Sequence, residues 1–109
     1  MKLIKCIIRP EKVDDLVEAL SHVVGGLTVS EVRGRGRQLG HTACYRGIEY
    51  EITLLRKASL EIVADDDRVE EILHIVMRIA RTGSVGDGRI FIHPVDEAYH
   101  VRTGFMQTE

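Results

Sequence analysis

Arg81-Thr82-Gly83-Ser84-Val85-Gly86-Asp87-Gly88-Arg89 is the segment of this chain best equipped for chemistry. Glycines at 83, 86 and 88 permit positive φ, and successive backbone N–H groups in such a run can converge into a nest for an anion. Arg89 follows directly and can fork onto phosphate oxygens. Far upstream, Arg33-Gly34-Arg35-Gly36-Arg37-Gln38 is a second run of glycine and arginine. A Gly-Asp-Gly turn alone can be no more than a turn, and alternate arginines can be the solvated face of a strand. Two such runs in a chain of 109 residues suggest the two sides of a nucleotide site.

Positioning them requires a frame. Lys2 to Ile8 alternates, with Ile4, Cys6 and Ile8 on one face, as a strand does. Pro10 suits a first helical turn, and Val13, Leu16, Val17 and Leu20 follow at helical spacing, giving an amphipathic helix expected to end at Gly25-Gly26. Leu27–Arg33 and Ser59–Val63 read as strands. Asp66 or Asp67 can cap a second helix with the stripe Val69, Ile72, Leu73, Val76 and Ile79. Arg89 to Ile92 is a fourth strand, and a further short extended stretch is expected around Val95 and Val101. The halves repeat: Ile7 to Leu16 has the pattern of Val63 to Ile72. A doubled β-α-β unit predicts an α+β, ferredoxin-like βαββαβ sandwich, one antiparallel sheet with both helices on one face. The uncovered face, if apolar, calls for a partner copy. The connection from Gly34 to about Arg56 is far longer than a hairpin needs, and its residues Gly40 to Glu51 could form a projecting ribbon.

The chain is 44% hydrophobic and 29% charged, ordinary for one globular domain over residues 1–109. A net charge of −2 argues against nucleic-acid binding. No apolar run approaches a membrane span, and Met1 to Cys6 has no signal-peptide pattern. Cys6 and Cys44 have no metal or disulfide spacing, so the cytoplasm is the expected address. His22, His74 and His93 have no ligand spacing, and the Asp65–Asp67 run is explained by helix capping.

Thr82-Gly83-Ser84-Val85-Gly86-Asp87-Gly88-Arg89-Ile90-Phe91-Ile92 looks like the C-terminal signature of the PII signal transduction proteins, trimeric sensors of nitrogen and carbon status. Gly34-Arg35-Gly36-Arg37-Gln38 and Tyr45-Arg46-Gly47-Ile48-Glu49-Tyr50 resemble the base and tip of that family's long T-loop, here about 34–56. The likeness runs from Lys2 to Gly104. It implies a homotrimer that binds ATP or ADP in clefts between subunits, with 2-oxoglutarate beside Mg²⁺. By the same resemblance, Gly86, Asp87, Gly88 and Arg89 match the phosphate loop, within about 81–89, and Thr28, Glu61 and Val63 match the adenine pocket. Gly36, Arg37 and Gln38 flank phosphate and metal, with Gln38 as the Mg²⁺ ligand. Arg9, Gln38, Leu39, Gly40 and Lys57 match the 2-oxoglutarate site, so replacing Lys57 is expected to remove that ligand and spare ATP. His100 and Arg102, in the C-terminal segment of about 95–109, match phosphate-binding arginines. His100 departs from the common arginine, and Ile48 from the usual small residue beside Tyr50, the position uridylylated in some relatives.

The implied role is a regulator, not an enzyme, with at most slow ATP hydrolysis. Its T-loop would act on a target: an ammonium channel, a nucleotidyltransferase, a kinase or a metabolic enzyme. A PII-like sensor of another small anion or nucleotide, or a nitrogenase-associated PII relative, is the alternative.

Overall fold

The computed structural model describes residues 1–36, 42–45, 48–51 and 54–107, the two middle segments as backbone. Lys2–Ile8 forms β1, Val13–Leu20 α1, Thr28–Gly34 β2, Thr42–Tyr45 β3, Ile48–Glu51 β4, Leu55–Ala64 β5, Val69–Ala80 α2 and Gly88–Pro94 β6. Four strands make an antiparallel sheet in the order β2-β5-β1-β6, and β3 pairs with β4 in a separate two-stranded sheet. The ribbon expected in the long connection is thus present, with Thr42 opposite Glu51 and Tyr45 opposite Ile48.

Alternation decides which face meets the helices. Ile4, Cys6 and Ile8 of β1 and Ala58, Leu60 and Ile62 of β5 are buried with Leu16 and Leu20 of α1 and Ile72, Val76 and Ala80 of α2. Both helices therefore lie on one face, as the doubled unit predicts. Burial pushes the Cys6 thiol up to about 11, so it stays protonated and unreactive near neutrality. The opposite face carries Leu3, Lys5 and Ile7 of β1, Glu61 and Val63 of β5, and Arg89, Phe91 and His93 of β6, matched across the strands. It mixes apolar and charged groups, with Val63 and Phe91 both about two-fifths exposed (39% and 42%).

The internal repeat has a geometric counterpart. Each helix is preceded by a 3-10 turn, Pro10–Lys12 before α1 and Asp66–Arg68 before α2. The residue ahead of each turn is extended, Arg9 at φ −65°, ψ 136° and Asp65 at φ −65°, ψ 150°. Each half also reaches into the other's loop: Arg9 Nη2 donates to the Val85 carbonyl at 2.9 Å and Arg68 Nη2 to the Val23 carbonyl at 3.1 Å.

Several boundaries differ from expectation. α1 stops at Leu20 rather than at the glycines, because the Ser21 hydroxyl donates to the Glu18 carbonyl at 2.7 Å and the chain turns through Val23 and Val24. β5 begins at Leu55, four residues before the expected Ser59, since a strand tolerates charged Arg56 and Lys57 where it leaves the helix-covered core. Asp66 and Asp67 make no side-chain cap: Asp66 instead accepts the terminal ammonium of Met1 at 2.8 Å, and that bond holds its carboxyl below the usual range. The extended stretch expected around Val95 and Val101 is broken: Val95 N–H still donates to the Met1 carbonyl at 3.1 Å beside β1, and beyond it only an isolated antiparallel bridge joins Tyr99 to Met106. Residues 98–107 instead fold into a small turn closed by Gly104 N–H to the His100 carbonyl at 2.8 Å and Gln107 N–H to the Ala98 carbonyl at 2.7 Å.

Candidate functional site: a glycine-walled cleft

The loop between α2 and β6 is shaped from within. Its Asp87 carboxylate accepts the backbone N–H groups of Thr82 at 2.8 Å and Gly83 at 2.9 Å, together with the Thr82 hydroxyl. Arg9 Nε adds a charged bond at 3.1 Å. Ser84 N–H turns to the Thr82 hydroxyl at 3.2 Å. The nest expected from the glycines therefore has two parts. The first half of the loop already holds an anion, its own aspartate; beyond Val85 the Gly86 amide is left for any other. The Thr82 hydroxyl, helped by those amides and by Arg9, holds the Asp87 carboxyl well below the usual carboxylate range.

That depression carries a pH dependence. A carboxyl held below its unfolded value adds stability that is present above about pH 4 and disappears as pH falls through its folded value. Asp87→Asn should flatten the acid limb of the stability profile, followed by urea titration from about pH 5 downward. Superimposable limbs in the two proteins would show that Asp87 is not engaged in this way.

Gly86 and Gly88 adopt φ of 102° and 117°, as the sequence requires of them. Lys57, from β5, donates to the Gly86 carbonyl at 2.8 Å. Burial first, and then the neighbouring Arg9 charge, push the Lys57 ammonium below its ordinary range. A cleft of about 720 Å³ opens against this wall, a size suited to a small ligand. It is lined by Gly86, Asp87, Gly88 and Arg89, by Lys57 and Leu55, by Gly34, Arg35 and Gly36 at the end of β2, and by Ile7 and Phe91. The two glycine-arginine runs, far apart in sequence, thus face each other across one cavity.

Of the residues expected in a site, Gly36, Lys57, Gly86, Asp87, Gly88 and Arg89 line this cleft, and Arg9 braces its loop from behind. Thr28 and Glu61 are register partners on β2 and β5, with Val63 two residues along, and none of the three lines it. His100 and Arg102 are exposed in the C-terminal turn and also lie outside it. Arg37, Gln38, Leu39 and Gly40 fall outside the described residues, as does the side chain of Tyr50, whose backbone sits in β4 opposite Ala43. Sequence reading missed Thr82 and Arg35. Thr82 carried a signal, a hydroxyl placed before a glycine turn that contains an aspartate.

Comparison with known proteins agrees with this frame. A sequence model of the family described as "Nitrogen regulatory protein P-II" matches residues 1–105. The chain is 49% identical over 105 residues to the nitrogen regulatory protein P-II of Pasteurella multocida, covering 95% of this chain and 94% of that one. It is 50% identical over 105 residues to P-II 2 of Methanothermobacter thermautotrophicus, covering 95% and 91%. Against the Nostoc punctiforme protein it is 48% identical over 110 residues, covering 100% and 98%. With that match over residues 1–105 and those identities, the chain belongs to the nitrogen regulatory protein P-II family.

Proposed function

We propose that the cleft binds the phosphates of ATP or ADP and that their occupancy, together with 2-oxoglutarate, sets the state of the T-loop. Family membership makes the chain a nitrogen regulatory protein acting in signal transduction. The observation that carries the finer reading is the cleft wall: Gly86 to Arg89 faces Gly36 and Lys57 across a ligand-sized space. The Gly86 amide has no partner among the described residues. Such a wall suits an anion with several oxygens. Gln38 would supply a hard oxygen to Mg²⁺ between the phosphates and 2-oxoglutarate, with Lys57 at the far carboxylate.

Thr28, Glu61, Val63, His100 and Arg102 enter this reading through a neighbouring copy, since their own chain keeps them away from the cleft. Exposed Val63 and Phe91 on the open face, and fully exposed Val101 beside His100, support a homotrimer that covers them. Hydrolysis is at most slow. Asp87 is the one carboxylate among the described lining residues, and four hydrogen bonds with a depressed pKa leave it a weak base. The β3–β4 ribbon is the part proposed to meet a target protein, with Tyr50 as a candidate modification site.

The test is a titration of 2-oxoglutarate with and without Mg-ATP. Binding should be appreciable only when Mg-ATP is present, and ADP should support it poorly, because the metal needs oxygens from all components. By linkage, 2-oxoglutarate should tighten ATP by the same factor. Equal binding in both titrations, or none in either, would overturn this reading in favour of a sensor for another small anion.

A further inference from the structure

A carboxylate stands in the wall of a cleft read as taking phosphates. Asp87 lines the space beside Gly86, Gly88 and Arg89. A negative charge at that place repels a phosphate ligand unless something cancels it. The partners of the carboxylate show what does.

Four hydrogen bonds reach Asp87, and they are of two kinds. The Thr82 amide, the Gly83 amide and the Thr82 hydroxyl are neutral donors. They keep the group ionised and shape the loop around it, but they leave its charge in place. Arg9 Nε, 3.1 Å from Oδ1, brings an opposite charge as well as a bond. Its Nη2 donates to the Val85 carbonyl at 2.9 Å, which fixes the guanidinium in orientation. Arg9 itself does not line the cleft. Lys57 does, and it registers both charges: burial lowers its ammonium first, Arg9 lowers it further, and Glu11 and Asp87 raise it. The fields of Arg9 and Asp87 therefore reach the cleft wall with opposite sign.

We infer that Arg9 is the counter-charge of the phosphate loop: paired with Asp87 from behind, it lets a polyanion occupy a wall that contains a carboxylate. It acts on the ligand through Asp87 and does not touch it. This rests on the phosphate reading above, and it gives Arg9 a role that a place beside 2-oxoglutarate does not.

The experiment measures ATP affinity by calorimetry without 2-oxoglutarate, with inorganic pyrophosphate as a second probe. Arg9→Gln keeps a donor and loses the charge. It should weaken ATP by about fivefold or more, the scale of one unit charge acting over about 4 Å in water. Arg9→Lys keeps the charge and should retain most of the affinity. Arg9→Gln combined with Asp87→Asn removes both charges and should recover most of the loss, whereas a merely structural role would leave the double variant no better than Arg9→Gln. Arg68 is the control, with the same two kinds of bond away from the cleft: Nε to Glu71 at 3.2 Å and Nη2 to the Val23 carbonyl at 3.1 Å. Arg68→Gln should leave ATP affinity nearly unchanged. Four results overturn the counter-charge alone, the parent still binding ATP: unchanged affinity in Arg9→Gln, an equal loss in Arg9→Lys, an equal loss in Arg68→Gln, or a double variant without recovery. A parent chain that binds neither ATP nor pyrophosphate overturns the phosphate reading and this inference together.

Discussion

Gly88→Ala is expected to cost at least about 4 kcal/mol of folding stability, a large share of a margin that is about 5–15 kcal/mol for a whole domain. Gly88 opens β6 opposite Ile8 of β1, with φ at 117°. A Cβ there would lie 1.8 Å from the Ile7 carbonyl oxygen, 2.8 Å from its carbon and 3.1 Å from the Ile8 Cα. All three are backbone atoms of a central strand, so no side chain can swing aside to make room. Gly83→Ala is the control. Its φ is 90° but a Cβ would meet nothing within 4 Å, leaving only the strain of positive φ, about 1–2 kcal/mol. Urea denaturation of both variants distinguishes the terms. Equal losses would mean that β6 does not approach β1 as described.

Leu60→Ala should cost about 2–5 kcal/mol, the range for truncating a leucine that its surroundings cannot replace. Leu60 is fully buried in β5, between Cys6 of β1 and Val29 of β2 in register. Strands on both sides and helices above restrict collapse into the space, so much of the cavity term persists. The denaturation midpoint should drop with little change in slope, because the surface exposed on unfolding is nearly the same. A loss below about 1 kcal/mol would indicate a core that repacks freely.

Features governed by one chain segment were legible in the sequence. β1 matches its expected bounds because Ile4, Cys6 and Ile8 alternate without interruption, and the doubled pattern gave both helices and their shared face. The glycine loop was found because glycine itself is the signal. What escaped depends on partners far apart in the chain. Nothing near Arg9 announces that its guanidinium will reach Asp87 and Val85, since that meeting follows from β1 and β6 being neighbours. Lys57 read as a ligand cation and not as a brace for the same reason. The Asp66 cap failed against a competitor invisible to local pattern, the terminal ammonium brought beside it by the β1–β5 pairing. Around Val95 and Val101, apolar residues suggested a short extended stretch; Val95 continues beside the start of β1, but from Ala98 the chain closes on itself.

The paired arginine ties between the two halves also bear on engineering. The corner built around Arg68 and the Val23 carbonyl is the counterpart of the one built around Arg9 and the Val85 carbonyl. Only the latter leads into the cleft. The former ends in Gly25 and Gly26, where an added Cβ would meet nothing within 4 Å. The second corner is thus free, within its own chain, of the backbone approach that fixes Gly88, so its glycines should accept alanine where Gly88 does not.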